Sequence, residues 1–355
     1  MLPAIRAWLD RNRDAETLLA RATRIERYQP VNEFYLRENG LVQLARLADL
    51  RTVERIAAGD ADGAAEAAVQ QLTIGLRFLR PSGNRSTPAL SMLFSVIPIG
   101  RAAASLPAIL AISPSAPRLA ELQSALSALN QDDIVERAVL GERALVLGHY
   151  WDAGSRSFNR SAGGPPSSGA RWSVGWAALR PYVIHLTIGH VELLTTWLEQ
   201  ARRPWPARLD VEGEPEAVGP PSAGSRFPFT GAATRRAATS IQRTRNRTAG
   251  TLLGVVRSAL VTLAIERYRR GHDGVLPAQL SDLVPSRLSA VPVDPFSGSG
   301  LIYKQLPQGY VVYSVGPDRA DNGGEGAGTQ LRRRMGGNLL RDLPPDIGIT
   351  VKLGG

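Results

Sequence analysis

The sequence predicts an α+β protein in which helices come first and a small antiparallel sheet comes last. Apolar residues recur at helical spacing through most of residues 1–150. Near the other end, the alternating segments LIYKQ and GYVVYSV are separated by a short LPQG turn and predict a β-hairpin. The segment DIGITVKL also alternates, with Ile347, Ile349 and Val351 on one face, and predicts a third strand.

We therefore expect three consecutive parts. A helical domain covers residues 1–200, a Pro- and Arg-rich irregular linker covers 201–250, and a small α+β domain covers 251–355. In the last part, residues 251–270 carry a broad apolar stripe at helical spacing. A small sheet with one apolar face must cover that face, so we predict one long helix packed on a three-stranded antiparallel sheet.

Residues 41–79 predict a pair of antiparallel helices. Helical spacing of apolar residues is interrupted by AGDADG, in which Asp60 or Asp62 is placed to cap the second helix. The pair resembles one unit of a tetratricopeptide-like array. No repeat of constant period accompanies it, and the sequence favours a plain helical bundle.

The remaining helices and loops follow from the same patterns. Helices are expected at 85–112, 115–129 and 132–150, a Gly-, Ser- and Pro-rich loop at 152–171, and a further helix at 179–201. The most apolar stretch, ALSMLFSVIPIG, is too short to span a bilayer. We expect no transmembrane segment and no signal peptide in the sequence as it stands.

The amino-acid composition limits the kinds of site that the chain can form. The chain has 355 residues, of which 43% are hydrophobic and 21% charged, a balance typical of globular proteins with room for two domains. The absence of cysteine excludes disulfides, thiolate zinc sites and cysteine nucleophiles, and the presence of only four histidines argues against a histidine-rich metal centre.

The formal net charge is +10, and the surplus is concentrated in one segment. Between residues 226 and 247 there are six arginines and no acidic residue. They are Arg226, Arg235, Arg236, Arg243, Arg245 and Arg247. Such a segment could bind a polyanion such as nucleic acid. The sequence favours a solvated connector in an Arg-rich composition instead.

A run of motifs from residue 264 onward carries a resemblance. A helix ends in an A-x-E-x-Y pattern and is followed by a Gly-x-x-Pro turn, LV, P-x-DP-aromatic-x-G, YSxGxD and a Gly/acid loop. The matching residues are Ala264, Glu266, Tyr268, Gly274, Pro277, Leu283, Val284, Pro292, Asp294, Pro295, Phe296, Gly298, Tyr313, Ser314, Gly316, Asp318, Gly323, Gly324 and Glu325. This region resembles the globular domain of the major pseudopilins of type II secretion systems, which implies a pseudopilin-like fold for roughly 250–355.

The resemblance also implies a calcium site in the Gly/acid loop. The matching positions are Ser314, Asp318, Asp321, Glu325 and Asp346. Calcium takes six to eight oxygen ligands in flexible geometry. About twenty residues are inserted before the last strand, and among them Arg332, Arg333 and Arg334 would oppose a cation. An acidic turn tied to arginines is therefore the alternative to a calcium site.

No catalytic motif accompanies these features: GxSxG, HExxH, Walker A and a strand-preceded GxGxxG are all missing from the sequence. We expect a non-catalytic protein of the bacterial cell envelope or of a secretion apparatus, working through contacts with other proteins, and the resemblance favours the periplasm or envelope. The chain does not open with the long apolar helix of pilins, so incorporation into a filament is not implied. The alternatives are polyanion or nucleic-acid binding through 202–247, and an unrecognised hydrolase.

Overall fold

The computed structural model describes residues 2–24, 34–79, 88–154, 188–189, 191–210, 232–327 and 345–353. Within these ranges the helices are α1 (Leu2–Arg11), α2 (Arg13–Arg24), α3 (Phe34–Ala57), α4 (Ala61–Leu79), α5 (Pro88–Ala111), α6 (Ala116–Leu129), α7 (Ile134–Gly154), α8 (191–201) and α9 (Ala232–Arg270). The strands are β1 (Ile302–Leu306), β2 (Gly309–Ser314) and β3 (Ile347–Lys352). The predicted α+β class is confirmed.

The predicted helix pair over 41–79 is present as α3 and α4. Asp60 caps α4, because its Oδ1 accepts a hydrogen bond from the backbone N–H of Gly63 at 2.9 Å. This bond is the main reason that the pKa of Asp60 lies below its usual value. The other candidate cap, Asp62, accepts the N–H of Ser115 at 2.7 Å instead and so ties α4 to the start of α6.

The long helix α9 begins earlier than predicted. Residues 232–250 were expected to be irregular but form its first half. Apolar periodicity does not predict this half of the helix because its buried side is polar, with Gln242 and Asn246 both fully buried. The Asn246 amide donates to the carbonyl of Arg208 at 2.6 Å, so interior hydrogen bonds replace the apolar stripe that periodicity detects.

The second half of α9 lies at the centre of the molecule. Every residue from 249 to 266 is buried. The sheet packs on one side of α9, while α5 and α6 pack on other sides. One apolar core contains residues of α4 to α9 and of the sheet, so the helical part and the C-terminal part share it.

Within the described residues, two helices are long and apolar enough to cross a membrane by length and composition alone, over Phe94–Ala111 and Thr239–Arg270. The apolar window of the second is entirely buried inside the protein, and that of the first is 61% buried. Burial in the core accounts for the apolar character of α9 without a bilayer.

The sheet has the order β1-β2-β3, and both pairs are antiparallel. Its register pairs Lys304 with Val311 and Val311 with Thr350. The inner face, which includes Tyr310 and Val312, packs on α9 as part of the main core. The outer face carries Val311 and Tyr313 on the opposite side, since successive residues of a strand alternate.

The shared core leads to a prediction for the isolated C-terminal part. A fragment of residues 251–355 keeps the sheet and half of α9 but exposes the helix faces that α5 and α6 cover. We expect the fragment to lack a cooperative thermal transition, because the lost burial is large compared with the net stability of a small domain. Circular dichroism checks this against the full chain as control. A fragment that melts cooperatively near the full-chain melting temperature would contradict it.

Candidate functional site

The centre of the C-terminal part is the carboxylate of Asp294, which is fully buried. It accepts the backbone N–H groups of Phe296 at 2.9 Å and Val315 at 3.0 Å. It also accepts the hydroxyls of Ser314 at 2.6 Å and Ser297 at 3.2 Å. The carboxylate thus joins the turn after residue 293 to the end of β2 with four hydrogen bonds.

These bonds decide the position of the first candidate calcium ligand. The hydroxyl of Ser314 donates to Asp294 and accepts the N–H of Gly316 at 3.2 Å. It is fully buried at the end of β2. The hydroxyl of Ser314 therefore bonds to Asp294 and to Gly316, and its orientation is set by these two residues.

The loop over residues 317–327, which we call the strap, contains three further candidates and lies next to Asp346. The Asp346 carboxylate is buried and accepts the N–H groups of Gly324 at 2.7 Å and Asn322 at 3.4 Å. Burial raises the pKa of Asp346, and the nearby charges of Asp321 and Asp318 add to this, whereas the two hydrogen bonds oppose it.

Asp321 connects the strap to the sheet. Its Oδ1 accepts the phenolic O–H of Tyr313 at 2.7 Å and the N–H of Gly323 at 2.9 Å. Its other oxygen lies 3.5 Å from the ammonium group of Lys304. The hydrogen bond from Tyr313 is the largest of the effects that lower the pKa of Asp321.

The last two candidates are exposed. Asp318 accepts the N–H of Ala320 at 3.2 Å and the side-chain amide of Asn322 at 3.0 Å. The backbone N–H of Glu325 donates to the carbonyl of Asn322 at 3.3 Å. Both residues take part in the internal bonding of the strap, which keeps its turns together.

Among the described residues, the candidate calcium ligands are not gathered into one cluster of carboxylates. Within the described residues no group of three or more acidic or histidine side chains is close enough to hold a metal ion. The oxygens of Asp318, Asp321 and Asp346 are already engaged by N–H and O–H donors of the protein. Calcium binding therefore stays a prediction, and Arg332, Arg333 and Arg334 lie outside the described residues.

The six arginines proposed for polyanion binding are not in one environment. Arg226 lies outside the described residues, and Arg235 and Arg236 lie in the first turns of α9. Arg243 and Arg247 are exposed on the same helix.

Arg245 differs from these neighbours because it is buried. Its Nη2 donates to Glu142 of α7 at 2.8 Å, and its guanidinium carbon lies 4.7 Å from the centre of the Trp197 ring. Arg245 therefore pairs with Glu142 inside the protein. This corrects its assignment to a polyanion-binding surface.

Arg257 was not predicted to have a role, yet its buried side chain makes three hydrogen bonds. It donates to the side chains of Asn130 at 2.9 Å and Asp132 at 2.7 Å, and to the carbonyl of Val293 at 2.7 Å. The α6–α7 turn is thus tied to α9 and to the segment before Asp294. A lone arginine inside an apolar helical run is the signal that could have found it, because a buried guanidinium requires partners.

Tyr310, a buried residue of β2, faces the last turns of α9 and has a strongly shifted pKa. Tyr310 donates to Glu266 at 2.9 Å, and Arg269 donates to the other oxygen of Glu266 at 2.7 Å. Burial raises the pKa of Tyr310 well above its usual value, and the carboxylate of Glu266 adds to this. Because such a phenol stays protonated at neutral pH, the group is suited to connecting β2 to α9.

Comparison with known proteins finds no matching family model, no matching curated protein and no matching solved structure.

Proposed function

We propose that the chain is a non-catalytic protein of the bacterial cell envelope or of a secretion apparatus, and that its C-terminal part has a pseudopilin-like fold. The observation that carries this proposal is the contact between two separate motifs of the resemblance. Asp294 of the DP turn accepts the hydroxyl of Ser314 of YSVG at 2.6 Å, inside a unit of one long helix and three antiparallel strands. The order of motifs along the chain thus has a structural reason.

The enclosure of α9 supports a role outside a filament. Its residues 249–266 are covered by the sheet and by helices of the same chain. In an assembly of pilin type, this helix would have to pack against other subunits. Here its surface is already covered by the same chain. We therefore propose that partners bind elsewhere on the surface.

The outward face of α7 is the surface that we propose for protein contacts. Leu140, Ala144 and Leu147 lie at i, i+4 and i+7, and all three are exposed. Leu140 is 41% and Leu147 47% exposed, on the side of α7 opposite its buried residues. Apolar side chains aligned on one exposed helix face are typical of a contact surface, although this patch is small.

The proposal is tested by capturing partners in the source bacterium. We expect tagged wild-type chain to be recovered in the envelope fraction and to capture envelope or secretion proteins after cross-linking. The variant L140E/L147E should capture them about tenfold less, because buried apolar anchors dominate protein interfaces. Leu18, which is 58% exposed on α2, provides the control variant L18E.

Either of two results would contradict the proposal. Recovery of the chain with cytosolic proteins alone would reject the envelope assignment. Equal capture by L140E/L147E and L18E would reject the α7 surface. The polyanion alternative, now resting on residues such as Arg243 and Arg247, predicts binding that weakens steeply with salt, and the hydrolase alternative predicts turnover that the same preparations can be assayed for.

A further inference from the structure

The outer face of β2 is apolar and needs a cover. Val311 is 3% exposed and Tyr313 is 0% exposed, although both point away from α9. They form a small apolar cluster of their own with Ala327 of the strap and with Ile302 of β1. The strap therefore buries a second sheet face, separate from the main core.

Three contacts attach the strap along its length. Tyr313 of β2 donates to Asp321 at 2.7 Å, and Asp346, just before β3, accepts the N–H of Gly324 at 2.7 Å. Thr350 of β3 donates to the carbonyl of Ala327 at 2.8 Å. β2, Asp346 and β3 thus hold three successive points of the strap, at Asp321, Gly324 and Ala327.

We infer that the strap is fastened by the side chains of its own sheet, and that it closes over the outer face without a bound cation. The acidic residues hold the loop by accepting its N–H groups and the O–H of Tyr313, which are the donors that a closed loop has to satisfy. Closure buries Val311 and Tyr313 beneath the strap.

Two adjacent glycines provide a matched pair for testing this inference. Gly323 and Gly324 have φ values of +75° and +86°, so both occupy the left-handed region. A Cβ on Gly324 would lie 3.2 Å from the ring of Tyr313 and 3.3 Å from Val311, whereas a Cβ on Gly323 would meet nothing within 4 Å. G323A and G324A therefore share the backbone strain, and only G324A disturbs the packing on the sheet.

The experiment measures amide hydrogen exchange of the strap in the full chain, with EGTA and then with calcium. In EGTA we expect the strap amides of the wild type to be protected from exchange. We expect the strap amides of G323A to be better protected than those of G324A. G324A and Y313F should exchange about tenfold faster than the wild type, because local opening exposes the amides. Binding of the apolar dye ANS should rise in G324A, since Val311 and Tyr313 become accessible.

Y313F keeps the ring and removes only the hydrogen bond to Asp321, so it tests fastening independently of G324A. Equal exchange in G323A and G324A would overturn the packing of the strap on the sheet. Unchanged exchange in Y313F would overturn the fastening by Tyr313. A wild-type strap that exchanges freely in EGTA and becomes protected on addition of calcium would overturn cation-independent closure and support the calcium site.

Discussion

Replacing Asp294 by alanine is expected to lower the free energy of unfolding by about 4 kcal/mol. The side chain is fully buried and accepts four hydrogen bonds, two of them from the backbone N–H groups of Phe296 and Val315. Alanine leaves these donors buried without an acceptor, and each such loss costs roughly 1–3 kcal/mol. Urea denaturation followed by circular dichroism measures the change, with the m-value as a check on cooperative unfolding.

Two further substitutions make this result specific to the buried carboxylate. D294N retains one acceptor oxygen and should cost about half as much as D294A. D318A removes an exposed carboxylate that also accepts two hydrogen bonds, and should cost about 0.5 kcal/mol or less. Measured in EGTA, this control is independent of any cation. A loss below about 1 kcal/mol for D294A would contradict a large contribution of the Asp294 carboxylate to stability.

The elements that could be predicted from sequence are those whose burial follows a simple period. The strands β1, β2 and β3 are present as predicted, and Ile347, Ile349 and Val351 of β3 pack with α9 in the main core, as their alternation indicates. Helices α3 to α7 also lie close to their predicted ranges, because apolar side chains recur along them at helical spacing.

The first half of α9, which was not predicted, shows where the periodicity of apolar residues fails as a signal. Its interior side carries Gln242, Arg245 and Asn246. Arg245 and Asn246 have partners far away in the sequence, while Gln242 donates to Asn246 four residues on. Nothing local identifies Glu142 or the carbonyl of Arg208 as those partners. The donors that the acidic residues of the strap accept likewise become apparent only when the loop is folded on the sheet. The calcium site was implied by the resemblance, and it stays a prediction.

Replacing Arg245 by methionine is the second change expected to have a large effect. Arg245 is 5% exposed, and its partner Glu142 has a side chain that is 19% exposed. Removing the guanidinium leaves a carboxylate in the interior with its main partner lost. We expect a loss of about 3 kcal/mol in the free energy of unfolding at pH 7.5, the range found when one partner of a buried pair is removed.

The pH dependence of this loss identifies its cause. Burial already raises the pKa of Glu142, with Arg245 opposing that effect, so R245M should raise the pKa further. The folded variant then holds a proton at pH values where the unfolded chain has released it. Its stability should fall as the pH rises from about 4.5 toward neutrality, and the cost of R245M should shrink at acidic pH.

Two comparisons separate charge from packing. R202M breaks the pair between Arg202 and Glu136, which has the same 2.8 Å distance but a 57% exposed arginine, and should cost less than about 1 kcal/mol. The double variant R245M/E142L removes both charges and should recover most of the loss at pH 7.5, because a well-packed apolar pair can replace a buried ion pair. If the double variant is as unstable as R245M at every pH, the loss comes from packing against Trp197 and not from the uncompensated carboxylate.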